Sequence, residues 1–214
     1  MSNRSQPEPR ESSKDQPIFA SVELARWVVR RIPRDTRSVL DLACGKAIIP
    51  YIIRSNFTRI ERMVGIEIYE PYIDFVKERK IFDAVIRWDL TKLPLPIGNK
   101  EFDVAFCVEA IEHVDKAAAS ALISEMERVA SLVILTTPNV WNENQDSALD
   151  GNKAQLHRSI WSPEDFRRRG YEVRGIGDFK WGPTALKFAL GPLTYPFPEL
   201  GTNLLAIKHS NSSP

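Results

Sequence analysis

Cysteine is nearly missing: Cys44 and Cys107 are the only two in 214 residues, far apart and outside any C-x-x-C pair. That usage argues against a disulfide framework and a cysteine-built zinc site, and it fits a reducing, cytoplasmic setting. No apolar run approaches the ~18 residues of a membrane span. The opening MSNRSQPEPRESSKDQP is polar and has neither the apolar centre of a signal peptide nor an anchor. Net charge is also missing, since 29 Lys and Arg stand against 28 Asp and Glu. No global field then points toward nucleic acid or an anionic membrane, although local basic clusters stay open.

What is present is ordinary globular material. With 43% hydrophobic residues the chain can bury one sizeable core. Residues 1–16, rich in Ser, Pro and charge, read as a disordered tail, and 17–210 as one domain. Helical spacing runs from Ile18 to Ile32, where Pro33 stops it. Strands are then expected at 38–43, 63–68, 84–88, 102–108, 132–137, 171–177 and 202–209. Helices are expected at 48–54, 71–80, 116–129 and 162–170, the last capped by Ser162. Alternating strands and helices imply an α/β doubly wound sheet, largely parallel and covered on both faces. Residues 138–160 read as a long polar loop. The stretch 178–201, with Phe179, Trp181, Phe188, Tyr195 and Phe197, reads as an irregular insertion placed to cover a substrate, with core cover or a dimer contact as the alternatives.

Three strand ends carry acids: Asp41 in DLACGKA, Glu67 after MVGI, and Asp89 after AVIRW. Ligands of open parallel sheets bind beyond the carboxyl ends of the strands. Glu67 is placed to accept ribose hydroxyls and Asp89 an adenine amine. Asp41 discriminates among ligands, because an acid in the first turn repels a diphosphate and attracts an ammonium group. A dinucleotide loop needs G-x-G-x-x-G, and here Ala43 and Ala47 flank Gly45. A P-loop needs Gly at 40 and Ser or Thr at 47, where this chain has Leu40 and Ala47.

The series VLDLACGKA, VGIEIYE, RWDLTKLP and FDVAFCVEAIEHV, over residues 36–137, resembles the class I S-adenosylmethionine methyltransferases. The resemblance implies a Rossmann-like seven-stranded sheet whose C-terminal strand is antiparallel. It implies that Asp41, Ala43 and Gly45 line the methionine, Glu67 and Ile68 the ribose and adenine, and Asp89 and Leu90 the adenine edge. The family's first motif carries Gly where Ala43 and Ala47 stand, and Ala fits there without strain only at negative φ.

Just past the fourth strand, Glu109, Glu112 and His113 share one face if that stretch is helical. Two carboxylates and an imidazole suit a hard or borderline divalent cation, with His157 as a fourth ligand. This E-x-x-E-H, followed by T-P-N and H-x-x-x-W, resembles the ubiquinone-biosynthesis and small-RNA 2′-O-methyltransferases. By that resemblance Glu109, Glu112, His113 and His157 hold Mg²⁺ or Mn²⁺ beside an acceptor hydroxyl. The alternative is that His113 or His157 acts as a base or acceptor contact without metal.

The expected function is methyl transfer from S-adenosylmethionine to oxygen of a small molecule. RNA 2′-O-methylation and a non-catalytic cofactor-binding scaffold are the alternatives. The near-neutral charge argues against nucleic acid as a partner, no membrane partner is expected, and a homodimer is left open.

Overall fold

A computed structural model describes residues 22–140 and 152–210. The expected tail, the first residues of the helix read from Ile18, and most of the loop after Asn139 lie outside them. Seven strands form one sheet in the order β3-β2-β1-β4-β5-β7-β6. β1 (Ser38–Leu42), β2 (Arg62–Glu67), β3 (Ala84–Arg87), β4 (Phe102–Val108) and β5 (Ala130–Pro138) run parallel. β7 (Gly201–His209) inserts antiparallel between β5 and β6 (Glu172–Phe179). The carboxyl ends of β1 to β6 and the start of β7 therefore share one edge.

The central strands are apolar along their length because both faces are covered. On one face α1 (Val22–Val29), α2 (Ile48–Asn56) and α3 (Glu70–Glu78) bury Val28, Ile53, Phe75 and Val76 against Val39, Val104, Phe106 and Ile134. On the other, α4 (Lys116–Val129) lays Ala119, Leu122, Ile123 and Met126 on Leu40, Ala105, Val133 and Leu135. α5 (Pro163–Arg167) is only five residues long, yet its start is fully specified. The Ser162 hydroxyl accepts from the Asp165 amide, and the Asp165 carboxylate accepts from the Ser162 amide. Phe166, stacked on Trp161 and edge-on to Tyr171, anchors it in the core that α4 also covers.

Two expectations are corrected here. The segment 178–201, read as irregular, holds an 11-residue helix, α6 (Thr184–Thr194). Its Pro192 and Gly191 hid it, and docking on β6 stabilises it where local propensity does not. Ala43 and Ala47 sit at φ 58° and 59°, the left-handed region rather than the negative φ that alanine favours.

Candidate functional site

The first turn is built around Glu67. The Gly45 amide donates to Oε2 at 2.9 Å, and the Ile68 and Tyr69 amides donate to Oε1 at 2.8 and 2.9 Å. Left-handed backbone at residues 43, 45 and 47 turns the chain sharply from β1 into α2. Open space faces Gly45 where a side chain would stand. Asp41 and Glu67 are 5% and 6% exposed at adjacent strand ends. Burial, and then the charge of Glu67, holds the Asp41 carboxyl well above the usual carboxylate range. A ligand ammonium in this cleft would restore its charged form. Beside them Ile68 is 42% exposed, an apolar surface at the strand end suited to a flat base. Asp89, after β3, accepts from both the amide and the hydroxyl of Thr91 at Oδ1. These bonds lower its pKa against a partial burial that acts the other way. Leu90 packs half-buried beneath it. The seven residues expected at the cofactor thus lie at the carboxyl ends of β1 and β2 and on the turns after β1, β2 and β3, all at one sheet edge.

A second cluster lies past β4 and β5. β4 ends at Val108, Glu109 takes φ 50°, and residues 111–113 form a 3-10 turn. The helix expected to align Glu109 with Glu112 and His113 is therefore not there. Glu109 is instead held by Thr136, whose hydroxyl donates at 2.9 Å, and by the Asn203 amide at 2.8 Å. Glu112 is 2% exposed and accepts from the Thr137 hydroxyl at 3.0 Å. Its backbone carbonyl accepts from the Arg158 and Ser159 amides. That ladder draws the 157–159 segment across the turn and sets the His157 ring 4.8 Å from His113.

Ligand atoms of Glu112, His113 and His157 lie within 4.8 Å of one another. Three of the four residues expected at a metal site come together, and Glu109 stands outside that group. Glu112 Oε1 and His113 Nδ1 are buried without a hydrogen-bond partner. Such orphaned atoms are costly unless something binds them. Burial, with the Glu109 charge behind it, drives the Glu112 carboxyl well above its ordinary range. Burial likewise raises Glu109, to about 7, against the bonds from Thr136 and Asn203. Burial lowers His113 to about 4, helped by His157, and lowers His157 as well. Neutral imidazoles beside a buried acid that lacks one bond suit a divalent cation.

Thr136 and Asn203 escaped the sequence reading, and Thr137 entered it only within T-P-N, without its role toward Glu112. The signal was available: two hydroxyls end the otherwise apolar LVIL run of β5, where an apolar pair would serve packing as well. A cavity of about 360 Å³, lined by Arg31, Leu132, Lys208 and His209, lies at the opposite sheet edge, away from both clusters.

Residues 40–131 match the family described as a methyltransferase domain. No curated protein matches the chain by sequence. The fold is shared with a methyltransferase dependent on S-adenosylmethionine from Archaeoglobus fulgidus (16% identity, TM-score 0.60, covering 86% of this chain and 91% of that one). It is shared with a chain of the complex between the Haloferax volcanii Trm112 methyltransferase activator and a putative methyltransferase (19% identity, TM-score 0.62, 89% of each chain). The small RNA methyltransferase HEN1 is similar over 99% of this chain but only 28% of its own length (17% identity, TM-score 0.63).

Proposed function

We propose that this chain, a methyltransferase domain on the fold of the S-adenosylmethionine-dependent methyltransferases, methylates a hydroxyl oxygen of a small-molecule acceptor. In this reading Asp41, Ala43 and Gly45 meet the methionine end of the cofactor, Glu67 and Ile68 the ribose and adenine, and Asp89 and Leu90 the adenine edge. S-adenosylmethionine supplies a methyl group on a positively charged sulfur, already a good leaving group. The protein's task is then to align the acceptor, exclude water and take one proton.

One observation carries the choice of oxygen: Glu112 Oε1 and His113 Nδ1 are buried and unpartnered within a three-residue ligand cluster. In this reading Glu112, His113 and His157 hold Mg²⁺ or Mn²⁺, which lowers the pKa of a bound hydroxyl. Thr137 orients Glu112 through its hydroxyl, while Thr136 and Asn203 hold Glu109 aside from the cluster. The 178–201 segment, continuing from the edge where β6 ends, covers the acceptor and keeps water out.

The test is transfer of labelled methyl to a panel of phenolic and aliphatic hydroxyl compounds, with a short RNA alongside. Activity should fall with chelator and return with Mn²⁺. Glu112→Gln should lower turnover by about 100-fold or more, as removing a group that acts at the reacting atoms does. Metal-independent transfer with Glu112→Gln unimpaired would refute the cation site. Methylation of RNA alone would replace the small-molecule acceptor, and cofactor binding without any transfer would leave a scaffold.

A further inference from the structure

The outward side of α6 reverses the usual pattern of a surface helix. Thr194 is buried and Lys187, Leu190 and Gly191 are half-buried toward β6, whereas Ala185, Leu186, Ala189 and Leu193 face solvent. Leu186 and Leu193 are 43% and 47% exposed, and Trp181 and Phe197, flanking the helix, are 57% and 55% exposed. Leu186, Ala189 and Leu193 fall on one side of the helix by their spacing, an apolar strip of a kind that globular proteins seldom leave uncovered. The dock beneath is tight, since a side chain at Gly175 would stand 2.2 Å from the Thr194 carbonyl.

A cationic row adjoins the end of this strip. Tyr195, next after α6, stacks on Trp27 of α1 at 5.1 Å. Arg26 and Arg30 lie over Trp27, Arg31 and Arg174 over Tyr195, and Arg34 over Phe57. Arg174 pairs with Glu172. Among the described residues Arg26, Arg30, Arg31 and Arg34 have no acidic partner, although eleven other ion pairs form. The near-zero net charge of the chain conceals this local concentration.

We infer that the flank formed by α1 and α6 docks on an anionic lipid surface. Leu186, Leu193, Trp181 and Phe197 enter the boundary between headgroups and acyl chains, and the four arginines meet lipid phosphates beside them. Trp181 suits that boundary, its ring greasy and its indole N–H polar, and Phe197 adds apolar area. A nucleic acid would use the arginines and gain nothing from outward leucines. A second copy of the chain would bring a like cationic row to the same seam. This docking shares the 178–201 segment with the proposed acceptor cover but uses its outward side chains, and it rests on neither the cofactor turns nor the Glu112, His113 and His157 cluster, so either reading can fail alone.

The experiment is flotation of the full-length chain with phosphatidylcholine vesicles, with and without phosphatidylglycerol. The chain is expected to float with the anionic vesicles and to be released as salt rises. Each of Arg30→Ser and Arg31→Ser should weaken binding about fivefold. Leu186→Glu combined with Leu193→Glu should abolish it while the far-ultraviolet spectrum stays unchanged. If that variant does not fold, brominated acyl chains give a second reading, quenching wild-type emission strongly and that of Trp181→Phe much less. Absence of flotation, flotation undiminished in the folded leucine variant, or equal quenching in Trp181→Phe would each overturn the inference. So would single-stranded RNA binding in place of vesicle binding, or a solution dimer dispersed by Leu186→Glu.

Discussion

At the scale of single residues, Glu67 shows how one carboxylate organises the backbone of the cleft proposed for the cofactor. Its oxygens accept three backbone amides from two different turns, which fixes the cleft before anything enters it. Ala43 shows the reverse, a residue carried in a conformation that its side chain resists. Ala43→Gly should raise stability by about 0.5–1 kcal/mol in urea denaturation, the strain relieved less the greater entropy of glycine when unfolded. An unchanged or lower midpoint would mean that the alanine methyl packs better than its half-buried state suggests. Glu109 makes a pH-dependent prediction. Burial raises its pKa from 4.5 to about 7, so the folded protein keeps a proton that the unfolded chain has released. Stability from the neutral form is full below the unfolded value and is lost as pH climbs to the folded one. In the metal-free protein Glu109→Gln should match the wild type near pH ~4 and exceed it by roughly 1–3 kcal/mol near pH ~8. Parallel stability curves for the two proteins would contradict that.

At the scale of elements, short segments depend on capping and docking rather than on length. Ser162→Ala removes the hydroxyl that caps α5 and should cost about 1 kcal/mol, seen as a lowered denaturation midpoint. Gly175→Ala places a methyl against the Thr194 carbonyl and Pro198 Cα. It should lift α6 from β6 and lower stability by more than ~2 kcal/mol, with protease cleavage within 184–197 as the local sign. Elements with regular periodicity were legible: β4 and α4 fall on the residues their patterns predict. α6 was not, because Gly191 and Pro192 mark a loop and its exposed face is apolar. The turn at 109–113 was misread for a related reason. Its E-x-x-E-H spacing suits a helix, but the left-handed Glu109 breaks the chain out of β4 before the 3-10 turn begins.

At the scale of the whole molecule, the parallel sheet could be read from alternating strands and helices, and the three acids at successive strand ends do lie along one edge of it. Which acids meet in space was only partly legible. Glu112, His113 and His157 converge because backbone bonds from Arg158 and Ser159 to Glu112 cross the sheet edge, and no local pattern encodes that pairing. Arg26 of α1 and Arg30, Arg31 and Arg34 just beyond it stand close together in the sequence, but their lack of acidic partners among the described residues depends on the fold. The central claim is that the paired buried carboxylates at β1 and β2 form a cleft for a cationic nucleoside. Calorimetric titration of S-adenosylmethionine into the wild type and Asp41→Asn tests it most directly. The account predicts one-to-one binding by the wild type and affinity lower by about tenfold or more, ~1.4 kcal/mol, in the variant. No binding, or equal binding by both proteins, would contradict it.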